Sequence, residues 1–112
     1  MDALAVVESF GAAWAEHDLE ATLALVSDDC VFDSTGLAPD GIRHVGRDAS
    51  RCAWQPIFDD SNARFEPEET FCAGDRVVQL WRYTWADGHV RGVDVFRVRD
   101  NKVAEKLSYV KG

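Results

Sequence analysis

From about Ala63 to the C-terminus the apolar residues recur at every second position, and the pattern breaks only at Gly74-Asp75, Asp87-Gly88 and Asp100-Asn101. A period of two belongs to strands with one buried face, and Gly, Asp and Asn at the breaks are residues that tight turns use; Asp-Gly is the strongest of these hairpin signals. Four consecutive antiparallel strands are therefore expected. Upstream the period is three to four. Asp2 can cap a helix carrying Leu4, Val7, Gly11 and Trp14, and after "EHD" Asp18 can cap a shorter one carrying Leu19, Leu23 and Val26. "CVFDST" reads as a short strand, followed by a polar loop with Gly36, Pro39 and Gly41. Asp48 is the expected cap of a third helix, "ASRCAWQPIF", which Pro56 should kink or end because it lacks an N–H and crowds the preceding turn. The order α-α-β-α-β-β-β-β predicts an α+β fold with helices laid on one face of a curved, mostly antiparallel sheet.

The turns predict which residues share a face. A two-residue turn at Asp87-Gly88 sets Ala86 against His89, and hence Trp81 against Asp94, Tyr83 against Gly92 and Gln79 against Phe96. A similar turn at Asp100-Asn101 sets Leu107 against Asp94, Tyr109 against Gly92 and Glu105 against Phe96. One face then carries Trp81, Tyr83, Asp94, Phe96, Leu107 and Tyr109. The other carries Arg82, Arg91, Arg97 and Lys106 with Leu80, Val93 and Val95. An ionised carboxylate among aromatics is costly unless it is paired, protonated or facing a wet cavity. Aromatics on a sheet commonly form plain core, and a lone buried Asp can serve a structural hydrogen bond. An acid amid such a face, with Gly92 leaving room beside it, also has the composition of a small-molecule pocket.

The remaining features set bounds. The 112 residues, 46% hydrophobic and 29% charged, suit one domain spanning 1–112. A net charge of −8 opposes binding to nucleic acid or to an anionic bilayer, since both depend on clustered Lys and Arg. No apolar run approaches a membrane span and the N-terminus begins with an acid, so a cytoplasmic location is expected. Cys30, Cys52 and Cys72 lack C-x-x-C spacing and read as free thiols; no metal motif, phosphate loop or dinucleotide fingerprint occurs, so no cofactor is expected.

The stretches "FGAAWAEHDLEATLALVSDDCVF", "RHVGRDA" and "GVDVFRVRDNKVAEKLSYVKG", in this element order, resemble the nuclear transport factor 2-like superfamily, particularly its SnoaL-like polyketide cyclase branch. The resemblance covers nearly the whole chain. It implies a cone-shaped domain whose helices close one end of the curved sheet around an apolar cavity, and dimers formed sheet to sheet. Compared with ketosteroid isomerase, a relative, Asp94 falls where a protonated acid donates to an oxyanion. Phe10 stands at the position of that enzyme's oxyanion-hole tyrosine and Ser34 at that of its general base, with Asp33 one place off and, by strand alternation, on the other face. Steroid isomerisation is therefore not expected.

The candidate acid/base is Asp94, a carboxyl set among apolar strand neighbours. The candidate pocket comprises Phe10, Trp14, Ser34, His44, Trp54, Trp81, Tyr83, Phe96, Leu107 and Tyr109. His44, His17, Tyr83 and Tyr109 are candidate assistants; an exposed loop position is the simpler account of His44, and helix capping that of His17. Glu66, Glu68 and Glu69 read as a charged edge strand with Pro67. Three functions stay open: a cofactor-free cyclase or isomerase acting on a small apolar or polyketide-like molecule, a non-catalytic binder of such a molecule, and an interaction module. A homodimer through the outer sheet face is expected from Leu80, Val93, Val95 and Val110. Replacing Asp94 with Leu is expected to raise stability and abolish recognition.

Overall fold

Two aspartates start the helical half of the chain. In the computed structural model, which describes residues 1–112, helix α1 spans Ala3–Ala15, and the Asp2 carboxylate accepts from the Ala5 N–H at 2.8 Å. Asp18 does the same for Ala21 at 3.0 Å and starts α2, Leu19–Leu23. Between them His17 takes a left-handed φ of 57°, which turns the chain back on itself. Helix α3, Arg47–Asp59, begins at Gly46, whose φ of 97° suits glycine, and Asp48 lies inside the first turn instead of capping it. Pro56 does not end α3 either. The helix continues to Asp59, carrying Phe58 into the core 4.8 Å from the Trp14 ring, so tertiary packing outweighs the bond that Pro56 cannot donate.

The strands are β1 (Val26–Asp33), β2 (Arg43–Val45), β3 (Arg64–Ala73), β4 (Arg76–Trp85), β5 (Gly88–Arg99) and β6 (Lys102–Val110). The expected order therefore holds, with β2 as an added three-residue strand and β1 starting at Val26 instead of near Cys30. They form one sheet in the order β2-β1-β6-β5-β4-β3, antiparallel throughout except where β1 runs parallel to β6. Edge strand β3 carries Glu66, Glu68 and Pro67 and a register shift between Pro67 and Glu69, features that discourage further pairing.

Register differs from expectation at two places. The β4–β5 loop is Ala86-Asp87, so Trp85 faces Gly88, Trp81 faces Gly92 and Asp94 faces Gln79. Each partner moves by two residues, which preserves the faces. The second difference reverses a face. Arg99 opposes Lys102 as expected, but a bulge gives Val98↔Val103 followed by Arg97↔Glu105, leaving Ala104 extra. Beyond it Lys106, Ser108 and Val110 share the face of Asp94, and Leu107 and Tyr109 pass to the outer face.

The concave face and the helices enclose the core. Phe10 packs edge-on against Trp54 and Phe96, with ring centroids 5.8 and 5.5 Å apart, and Trp14 packs against Trp54 at 5.2 Å. Val6, Val7, Leu23, Val26, Val77 and Val103 complete this cluster.

Candidate functional site

Beside the aromatic cluster the cone stays open. A cavity of about 490 Å³ lies between α1, α3 and the concave side of the sheet. Its walls are mostly apolar: Trp14 from α1, Phe32 from β1, Ala53, Pro56 and Ile57 from α3, Phe65 from β3, Trp81 from β4 and Val90 from β5. Gly92 makes room for one of them. A β-carbon there would sit 2.5 Å from Cζ2 of Trp81 and 2.4 Å from the Tyr109 carbonyl oxygen, so only glycine lets the indole lie flat across β5.

Polar groups are few and converge. Asp94 is 2% exposed and Lys106 6%, and Nζ of Lys106 lies 3.2 Å from Oδ2 of Asp94. The same ammonium donates to Oγ of Ser108 at 2.9 Å and stands 4.7 and 4.8 Å from the ring centres of Trp14 and Phe32. Its charge is therefore met by a carboxylate, a hydroxyl and two π faces. Oδ1 of Asp94 and Nε1 of Trp81 are buried without a hydrogen-bond partner. Tyr83 reaches the wall from β4; burial, and secondarily the charge of Asp60, push its phenol above the usual tyrosine range.

The rim is built from the segment after β1. Ser34 donates its N–H to the Ile42 carbonyl at 2.9 Å and accepts from the Ile42 N–H through Oγ at 3.1 Å. Gly41, at φ 71°, would place a β-carbon 1.8 Å from the Ser34 carbonyl oxygen, so the loop closes tightly on Ser34. His44 belongs to β2 instead of a loop; it is half-buried, lines the cavity and stacks on Phe32 at 5.5 Å.

The expected site residues thus divide into three groups. Trp14, Ser34, His44, Trp81, Tyr83 and Asp94 line the cavity. Phe10, Trp54 and Phe96 lie behind its wall in the core, each 1% exposed. Leu107 and Tyr109 lie on the outer face, because the bulge at Ala104 inverts the end of β6. Lys106, expected outside, is inside for the same reason. Asp33 points outward and binds Arg43 through two hydrogen bonds of 2.7 and 2.8 Å, which hold its carboxyl below the ordinary aspartate range. It supplies no base to the cavity. His17, at the end of α1, is not among the lining residues.

Phe32, Lys106 and Ser108 escaped the sequence reading. Phe32 was legible as an inward residue of β1 by alternation with Val31 and Asp33. Lys106 and Ser108 carried no such signal, since strict alternation favours burying Leu107 and Tyr109. No three His, Cys, Asp or Glu side chains converge as metal ligands, and no helix is long and apolar enough to cross a membrane.

The model of the SnoaL-like domain matches residues 7–106. Among solved structures, a nuclear transport factor 2-like protein of unknown function from Mesorhizobium loti is 43% identical, with a TM-score of 0.88 over 96% of this chain and 89% of that one. A computationally designed 17-OHP binder is 28% identical, with a TM-score of 0.80 over 97% of this chain and 90% of that one. A candidate polyketide cyclase from Sinorhizobium meliloti is 20% identical, with a TM-score of 0.81 over 94% of each chain, and shares the fold. No curated protein matches the chain.

Proposed function

The chain belongs to the SnoaL-like domain family, and from that membership and the cavity we propose that it binds a small apolar molecule and performs cofactor-free acid/base chemistry on it, of cyclase or isomerase type. The observation that carries this reading is a buried carboxylate, Asp94, on the wall of a largely apolar cavity, with one oxygen unpaired. An apolar cavity fixes where a flexible substrate folds, and a carboxylate in reach of an acidic C–H or a carbonyl oxygen moves the proton that ring closure requires. Lys106 steadies the anion and Tyr83 offers a hydroxyl at the wall. The ion pair also favours a second reading. Lys106 supplies Asp94 with a structural partner, as it would in a binder that performs no chemistry.

One set of measurements separates the two. Quenching of Trp14 and Trp81 fluorescence reports binding, with 17-OHP as the first probe because the designed relative binds it, followed by linear poly-β-carbonyl compounds. Mass spectrometry then reports cyclised or isomerised product. Asp94→Asn is expected to lower turnover by about 10²- to 10⁴-fold and to change binding by no more than about 0.5–3 kcal/mol, the worth of one hydrogen bond. Binding without product in the unaltered protein selects the binder. Product formation unaffected by Asp94→Asn removes Asp94 from the chemistry.

A further inference from the structure

Lysine is scarce in this protein. There are three, Lys102, Lys106 and Lys111, and only Lys106 is buried. It is also the only one on the cavity wall, and it shares that wall with the buried carboxylate 3.2 Å away. An exposed lysine amine is kept charged and hydrated, and so is a poor nucleophile. The two π faces and the carboxylate hold the resting ammonium of Lys106, and Asp94, in contact with it, is the base that frees the amine, because proton transfer across the pair replaces two buried charges with two neutral groups.

Resting on the reading that the cavity takes an apolar carbonyl compound, we propose that Lys106 is a covalent nucleophile that condenses with a ketone or aldehyde carbonyl, with Asp94 as its proton carrier. The Lys106 ammonium passes a proton to Asp94, and the freed lone pair forms a C–N bond to the carbonyl carbon. The carbonyl π pair moves to oxygen, which collects the proton from Asp94. A second proton travels from nitrogen to oxygen by the same carboxylate, the C–O bond breaks, and water leaves. The balance is R–NH₃⁺ plus a carbonyl giving R–NH⁺=C plus H₂O. Asp94 then removes a proton from the carbon next to the iminium, giving a neutral enamine whose carbon attacks a second carbonyl of the same molecule; the π pair of that carbonyl moves to its oxygen, which takes the proton back from Asp94, and the iminium re-forms. Hydrolysis returns the amine. The substrate class is thus a molecule with two carbonyls in an apolar frame small enough for about 490 Å³. No oxidant or reductant takes part.

The test uses 1-phenyl-1,3-butanedione, an apolar diketone whose amine adduct, the diketone less one water, persists without trapping. Tryptophan quenching in the first seconds reads binding, and peptide mass mapping after longer incubation reads the site of condensation. Condensation at Lys106 is expected to run about tenfold or more faster than at Lys102 or Lys111, to vanish in Lys106→Arg and to slow in Asp94→Asn, with circular dichroism checking that both variants fold. Quenching without an adduct at Lys106 overturns the nucleophile and leaves the cavity reading intact. Neither quenching nor adduct overturns both for this class of compound. Equal modification of all three lysines means surface chemistry only and overturns the proposal.

Discussion

Asp94 shows how one residue's meaning depends on a neighbour that the sequence hides. With apolar neighbours alone, removing the acid should relieve a strained site. With Lys106 against it, Asp94→Leu strands a buried ammonium, and we expect it to lose about 3–5 kcal/mol. The expectation of stabilisation therefore changes sign. In the double variant Asp94→Leu/Lys106→Met both charges are gone and the methionine can lie against Trp14 and Phe32, so stability should return to within about 1 kcal/mol of the parent or exceed it. Urea unfolding of the two singles and the double checks this, and additive losses would mean the pair is not coupled. Tyr83 gives a pH prediction. Its folded phenol ionises above the value near ~10 of an unfolded tyrosine, so its contribution is whole below that pH and is lost as pH rises through the folded value. Tyr83→Phe should flatten that part of the alkaline stability curve, as followed by thermal melts between neutral and strongly alkaline pH. An unchanged curve would remove Tyr83 as its source.

The elements were legible where local chemistry specifies them and illegible where a single residue slips. Asp2, Asp18 and the change of period announce two helices and four strands because capping and alternation act within a few residues. The bulge at Ala104 has no such signature. Val103 and Ala104 are both buried, yet "VAEKLSYV" alternates equally well on either side of them, and hydrophobicity favours the wrong phase. Pro56 misleads in a related way, since its local penalty is real but the burial of Trp54 and Phe58 on either side decides. Trp81, Tyr83 and Asp94 stay in the pocket because β4 and β5 kept their faces despite the displaced turn; Leu107 and Tyr109 fail because β6 did not. Deleting Ala104 should remove the extra residue and leave Glu105 opposite Arg97 and Lys106 opposite Phe96, so β6 alternates strictly with Lys106 still on the cavity side and Leu107 outside. Continued protection of Lys106 from acetylation relative to Lys102, read by mass spectrometry, is the expected outcome; accelerated acetylation of Lys106 would mean that the pairing beyond the bulge depends on Ala104.

At the scale of the molecule the unresolved economy of surface lies on the convex side of the sheet. Val110, expected there, lies on the cavity side instead. In its place the bulge adds Leu107 and Tyr109 to Leu80, Val93 and Val95, and Phe71 of β3 joins Val78 in the next pair. Phe71, Leu80 and Tyr109 are 43%, 37% and 57% exposed, a large share for apolar side chains on one sheet face. The cross-strand pair Arg97–Glu105 sits among them with charges of both signs, which suits a self-complementary contact across a two-fold axis. We propose a homodimer through this face. Light scattering should give twice the chain mass at micromolar concentration, and Tyr109→Lys should halve it without disturbing the cavity; a monomeric parent protein would refute the dimer.

The last strand of the chain is not at an edge. β6 sits third in the sheet, parallel to β1 on one side and antiparallel to β5 on the other, so it joins the strands formed first to those formed late. Until residues 102–110 leave the ribosome, β1 has no partner except the three residues of β2, and the aromatic faces of α1 and α3 have no completed sheet to close upon. Synthesis from the N-terminus therefore yields a nascent chain with a long-lived exposed apolar surface, whose closure waits for pairing across some seventy residues of sequence, the slowest kind of contact to form. A trapped nascent chain ending before Lys102 should bind holdase chaperones and be cut readily by protease, whereas one extended past Val110 by enough linker to clear the exit tunnel should resist both.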